Sequence, residues 1–342
     1  MWRPAPGLAC GFNDAGPGLF SHVVTMRAAI LGIAVYPTDR VWAEVDLLAR
    51  SVANTDPDSE LVLITAPLGH RDRGLFRQFG VRALEIADPV PAFDTTTDVG
   101  RARKHAWICG LFGARHSWYS AALAELSASH VLIADTRDVV LTGRLSEKCV
   151  GTALVLSQEN LRLTIGSEPW NSKWVAGAYG DDGLATLADK PILCAGVVFG
   201  PVDAMREYVT AMTDEIHRLG AERVRSVGDQ PIHNYLAATG RLPPCVVSTA
   251  ETGWMRSVGL LATRDLSFDW LNAGPTVTGE RTVVLHQYDR HVRSRAVCSA
   301  LKRVTGLPWW KNLYSPFDAH PGVRLARAGS RLMRRLRGGS PS

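Results

Sequence analysis

Short, almost uninterrupted apolar runs alternate with stretches of helical period along the first half of this chain, and few architectures accept that arrangement. Residues 28–35 (AAILGIAV), 61–66 and 81–86 each have the length of a strand and no polar face. A strand that is apolar on both sides must be covered on both sides, which points to a parallel sheet between two layers of helices. After the first run, Val41, Trp42, Val45, Leu48, Ala49 and Val52 recur at helical spacing, and Asp39 stands where an N-cap belongs. Residues 54–58 read as a turn and 71–79 as a short helix.

Helical stretches are expected over 101–111 and 118–126, then a strand at 131–134. Further strands are expected at 153–156, 192–199 and 283–285, with helices over 202–219 and 230–238. No repeat or linker divides the chain. The expected fold class is α/β: a single doubly wound, mostly parallel, Rossmann-like sheet with a C-terminal helical appendage. Residues 26–291 would form the main domain and 292–342 the appendage. Residues 1–25 are rich in Gly, Pro and Ala and lack the basic head and apolar stretch of a secretory signal, so they read as disordered or as an extension ahead of a true start at Met26.

A chain of 342 residues, 46% hydrophobic and 21% charged, can bury such a core without staples, and it is neither collagen-like, a coiled coil nor wholly disordered. No apolar run approaches the ~20 residues of a membrane span. The six cysteines are scattered without a CxxC pair, so reduced thiols in a cytoplasmic protein are the plain reading. The net charge of +5 is local: residues 323–337 (VRLARAGSRLMRRLR) hold six arginines and no acid, which leaves −1 for the rest. The body therefore lacks the basic, aromatic-studded stripe of a nucleic-acid binder. The tail places Leu325, Ala328, Gly329, Leu332, Met333 and Leu336 on one helical face and arginines elsewhere, a pattern suited to an anionic membrane surface; a frayed basic terminus is the alternative, because Gly329 and Ser330 weaken a helix.

Four segments carry candidate chemistry. In VLIADTRDVV (131–140) an apolar strand runs into Asp135 and Asp138. Carboxylates beyond the carboxyl end of a strand can hold a hard divalent cation, although Asp135 capping a turn and Asp138 pairing with Arg137 or Arg144 account for them as well. In PILCAGVVFGPVDAM (191–205) the small pair Ala195-Gly196 marks either a β-bulge or close approach by a ligand. In SVGDQPIHNY (226–235) Asp229 suits a helix N-cap with Pro231 in the first turn, while Asp229, Gln230 and Asn234 also offer polar groups for sugar hydroxyls. In VVLHQYDRH (283–291) a strand delivers His286, a residue type that serves as metal ligand or as packed histidine.

In order and spacing these pieces resemble the metal-dependent GT-A glycosyltransferases, which use nucleotide-sugar donors. The resemblance rests on the strand–helix–strand start, DTRDVV, CAGVVFGP, GDQPIHNYL and HQYDRH, and spans residues 28–291. Its acidic motif has the D-x-R-D form of certain bacterial-type transferases rather than DxD. The resemblance implies that at least one of Asp135 and Asp138 binds Mn2+ or Mg2+, the other holding ribose or positioning Arg137, and that His286 completes the metal site. It implies that Gly196, Gln230 and Asn234 face the transferred sugar or the acceptor, and that Asp229 is the base an inverting reaction needs; a retaining course needs none there. Arg103 and Lys104 would meet diphosphate, or else lie on a solvated helix face. Tyr36 would stack on the base, or else pack in the core.

The implied partners are a nucleotide-sugar donor and a carbohydrate or lipid-linked acceptor, with peripheral attachment to the inner membrane face through 323–337. A methyltransferase is the rival enzyme class, but residues 36–40 (YPTDR) lack its glycine-rich turn. A non-catalytic binding protein for carbohydrate or nucleotide sugar is the other rival.

Overall fold

The computed structural model describes residues 27–35, 41–86, 97–249, 251, 253–266, 280–291 and 295–307, with backbone alone at 98–109, 263, 295 and 296. Asp39, Tyr36, residues 1–26 and the tail 323–337 fall outside these residues, as do the side chains of Arg103 and Lys104.

The first half alternates as its apolar runs require: β1 (Ala28–Ala34), α1 (Val41–Thr55), β2 (Glu60–Thr65), α2 (His70–Gln78), β3 (Val81–Glu85), α3 (Asp98–Ala124) and β4 (His130–Ala134). There follow β5 (Val139–Leu141), β6 (Leu154–Gln158), α4 (Pro169–Leu187), β7 (Leu193–Pro201), α5 (Val202–Leu219), α6 (Ala221–Val227) and α7 (Gln230–Ala238). The described chain closes with β8 (Cys245–Thr249), β9 (Met255–Ser257), β10 (Val284–His286) and α8 (Arg295–Thr305).

Seven strands form one sheet in the order β3-β2-β1-β4-β7-β6-β8. All neighbours run parallel except β7, which is antiparallel to both β4 and β6. The α/β class with a mostly parallel sheet is thus the observed one. Alternate residues of β1 belong to two separate cores. Ile30 packs with Trp42, Val45, Leu48 and Phe76 of α1 and α2, whereas Ala29 and Leu31 pack with Tyr119, Leu123, Met205 and Ile232 of α3, α5 and α7. Burial of both faces is what the near-continuous apolar strands demanded.

β5, β10 and β9 form a second, three-stranded sheet. α8 lays Val297, Ala300, Leu301 and Val304 against Val140 and Leu285 of that sheet, and Asn54 of α1 donates to the carbonyl of Val304 at 2.9 Å.

Two local expectations are corrected. Residues 101–126 do not form two helices; α3 is continuous over 27 residues. Gly113, which lies in the expected gap, faces Val224 of α6 and so suits a close helix–helix contact rather than a break. α1 also continues through Thr55, and the turn occupies the residues after it.

Candidate functional site

The polypeptide leaves the large sheet at Ala134 and enters the small one at Val139, so the Asp135–Asp138 turn spans the gap between them. Several bonds hold this turn. The amide of Asp135 donates to the carbonyl of Gly196 on β7 at 2.7 Å, and Thr136 Oγ1 donates to the carbonyl of Ile33 at 2.8 Å. The carbonyl of Asp138 accepts from the amide of Gln287 at 2.8 Å. Gly32 makes the second contact possible: a Cβ there would lie 2.3 Å from Thr136 Cγ2.

β10 brings His286 to the same place, opposite Val139 of β5 and Ser257 of β9. The ring is buried, and its Nδ1 lies 3.1 Å from Ser257 Oγ and 3.4 Å from Cys194 Sγ. With the proton on Nδ1 shared with Ser257, the lone pair of Nε2 faces two carboxylates, 3.6 Å from Asp138 Oδ1 and 3.7 Å from Asp135 Oδ2. Those separations exceed a hydrogen bond, and Nε2 is a buried nitrogen without a hydrogen-bond partner. One ligand atom from each of Asp135, Asp138 and His286 lies within 4.8 Å of the others. Two carboxylate oxygens with one imidazole suit a hard or borderline divalent cation, and the Ser257 contact is the outer-shell bond that metal-bound histidines use. The residues fit a divalent metal.

Electrostatics agree. Burial lowers the pKa of His286, but Cys194, Asp138 and Asp135 outweigh it and raise the value well above the ordinary one. Burial raises the pKa of Asp138, and the charge of Asp135 adds to that rise. For Asp135, burial is outweighed by Arg115 and His286, which hold its carboxyl below the usual range. The raised proton affinity of His286 and Asp138 beside an ionised Asp135 marks a place of negative potential, which also favours a cation.

Gly196 is drawn into the site. A Cβ there would meet His286 Cε1 at 2.5 Å and Asp135 Oδ2 at 2.6 Å. The β-bulge reading of the small pair holds, since β7 carries extra residues against the Leu156/Ser157 step of β6 at this position, and what comes close to Gly196 are the side chains of His286 and Asp135.

Arg115, which the sequence reading passed over, ties the acids together. Its Nη1 donates to Asp135 Oδ1 at 2.8 Å, its Nε to Asp229 Oδ2 at 2.6 Å and its Nη2 to the carbonyl of Ala195 at 3.3 Å. His116 Nε2 meets the same Asp229 oxygen at 3.0 Å. Asp229 stands at the N-cap of α7 with Pro231 in the first turn, as its sequence suggests, but makes no side-chain capping bond: its carboxylate turns inward to Arg115 instead. Burial raises its pKa, and Arg115 and His116 outweigh this and lower it. A signal for Arg115 existed. It shares one helical face with Tyr119, Ala122 and Leu123, all buried, and an arginine on an apolar stripe needs buried partners.

The other candidates divide. Gln230 Nε2 donates to Asn171 Oδ1 at 2.9 Å and to Glu159 Oε1 at 3.1 Å. Asn234 is buried and bound to backbone: its Oδ1 accepts from the amide of Leu193 at 2.9 Å, and its Nδ2 donates to the carbonyls of Leu193 and Gln230 at 2.8 and 2.9 Å. It is a clamp on the start of β7, and direct contact with sugar is withdrawn for it. Arg137 is part-exposed in the acidic turn, 3.9 Å from Asp289. Arg144 binds Asp58 rather than Asp138, whereas the charge of Arg137 acts on Asp138 and tends to lower its pKa. Arg103 and Lys104 lie on α3.

No family model and no curated protein matches the chain. Among solved structures the chain is similar to the galactosyltransferase LgtC in complex with donor and acceptor sugar analogs, with 15% identity, 82% of this chain and 96% of that chain covered, and a TM-score of 0.44.

Proposed function

We propose that this protein is a glycosyltransferase that moves a hexosyl or related sugar from a nucleotide-diphosphate donor to an acceptor hydroxyl, with Mn2+ or Mg2+ held by Asp135, Asp138 and His286. The observation that carries the reading is the unpartnered Nε2 of His286 facing two carboxylates. They lie just beyond the carboxyl end of β4, where open α/β sheets place their ligands. When bound, the cation supplies Lewis-acid stabilisation of charge on the leaving diphosphate.

The chain's own groups prepare that place. Ser257 orients the imidazole, Arg115 orients Asp135, and the amide of Gln287 holds the backbone of Asp138. Arg137, Arg103 and Lys104 are assigned to the diphosphate, and Tyr36 to the nucleotide base. Asp229 is a positioning residue in this reading, since its carboxylate already serves Arg115 and His116. Gln230 offers its Oε1 to a sugar hydroxyl.

A screen of hydrolysis and transfer across UDP-, GDP- and TDP-sugars with Mn2+ or Mg2+ tests the proposal. Asp138→Ala should abolish metal-dependent turnover, and full turnover in that variant rejects the metal role.

No helix among the described residues is long and apolar enough to cross a membrane. We place the protein in the cytoplasm and assign residues 323–337 to an anionic membrane surface, where they bring the site to a lipid-linked acceptor. Co-sedimentation with anionic liposomes should be lost in a chain ending at Pro321; equal binding discards the anchor.

A further inference from the structure

The first turns of α4 carry an exposed tryptophan, Trp170, beside a half-buried one, Trp174. Trp170 is 62% exposed, and its ring centre lies 6.3 Å from that of Trp174, with the planes tilted by 38°. Lys173 Nζ stands 5.9 Å from the Trp170 ring centre. Large aromatics left in water mark contact surfaces. Asn171, next to Trp170 in the sequence, is a buried partner of Gln230, and Glu159, the other partner, is followed two residues later by Leu161, 52% exposed.

Two carboxylates set the orientation of the amides. Glu168 Oε2 accepts from Asn171 Nδ2 at 2.8 Å, which turns Asn171 Oδ1 towards Gln230. Glu159 takes the second hydrogen of Gln230 Nε2. Both donors of Gln230 are spent, and its Oε1 remains to accept from a hydroxyl.

We propose that Trp170 and Trp174 form a platform for the acceptor glycan, one pyranose stacking its C–H face on Trp170 while a hydroxyl of the chain donates to Gln230 Oε1. This rests on the sugar-transfer reading and adds the acceptor class, an oligosaccharide. A flat apolar ring beside a fixed polar acceptor complements a sugar, whose apolar face is edged with hydroxyls. An anionic membrane would instead call for basic groups around the rings, and α4 carries Lys173 alone against Asp181 and Asp182.

The test uses the full chain without nucleotide and saturation-transfer NMR with cellotetraose, maltotetraose and chitotetraose. Saturation should reach the ring C–H protons of at least one probe, with affinity about tenfold weaker in Trp170→Ala and retained in Trp170→Phe. Absence of saturation in every probe, or wild-type affinity in Trp170→Ala, overturns the proposal. Wild-type sugar affinity in Trp170→Ala with lost binding to phosphatidylglycerol vesicles overturns it in favour of a membrane contact. Donor hydrolysis by the wild-type chain is the separate check: its absence with every nucleotide sugar removes the transferase reading while a glycan surface on Trp170 still stands.

Discussion

Asp229 Oδ2 is shared among Nε and Nη2 of Arg115 and Nε2 of His116, and that grip decides what its carboxylate can do. When ionised, Asp135, Asp138 and Asp229 bring three negative charges and Arg115 one positive, a balance that a divalent cation cancels. Asp229→Asn leaves Arg115 to lean wholly on Asp135, so Mn2+ affinity should fall about tenfold in isothermal titration, the size seen when outer-shell partners of metal ligands are removed. A base acting on the acceptor would lower turnover and leave Mn2+ affinity alone, so an unchanged titration reverses the assignment. His233, beneath the same cluster, is fully buried, and its Nδ1 shares a hydrogen bond with the Tyr208 hydroxyl at 3.0 Å. Burial outweighs Asp229, and with His116 and Arg115 also disfavouring charge its pKa falls to about 4. The folded state therefore resists a proton that the unfolded chain accepts near its ordinary pKa, so His233 weakens the fold as pH drops below about 6.5 and continues to do so until about 4. Between pH 7 and pH 5 this costs the wild type roughly 2 kcal/mol. Chemical denaturation at both pH values should show that penalty disappear in His233→Gln; an equal loss in both proteins refutes it.

At the scale of elements, the site depends on how closely β7, β10 and the acidic turn approach one another. Gly196→Ala would push a methyl onto His286 and Asp135, and neither can yield, since the ring is pinned to Ser257 and the carboxylate to Arg115. Circular dichroism should stay near wild type while Mn2+ affinity falls on the order of 10- to 100-fold; unchanged affinity would mean that the three elements stand further apart. The strands and helices that could be read ahead were those whose burial leaves a periodic trace: β1 with its doubly apolar run, α1 with its stripe, and α5 and α7 at their observed limits. The strand expected at 283–285 is β10, one residue further on, but the three-residue strands β5 and β9 are too short to show a period, and Ser257 and the pairing that delivers His286 depend on them. Asp135, Asp138 and His286 could be singled out because they stand at the ends of apolar strands, while turn capping, local pairing and packing remained open for them in the sequence alone. Arg115 was hidden by an expected break at residues 112–117 of α3, and Asn234 misled because an amide that clamps backbone has the same letter as one that binds sugar.

For the whole molecule, the candidate metal set joins parts of the chain that otherwise meet through short strands. Asp135 and Asp138 follow β4 of the large sheet, whereas His286 ends β10 of the small one, about 150 residues later in the sequence. The small sheet is itself fastened to α1 and α8 through Val140, Leu285 and their neighbours. A cation bound only by the folded arrangement must stabilise all of it by mass action, about 2.7 kcal/mol when the metal stands at 100 times its dissociation constant. In a chain of this size that corresponds to a rise in Tm of about 5 °C. Differential scanning calorimetry with saturating Mn2+ should show this rise in the wild type, and EDTA should return it to the metal-free value. His286→Ala and Asp138→Ala should each lack it, while Glu215→Gln should unfold at a lower temperature and keep it, because Glu215 pairs with Arg218 and Arg241 on other elements of the fold. A metal-induced rise that survives in His286→Ala would place the cation elsewhere and detach the small sheet from the chemistry proposed for the site.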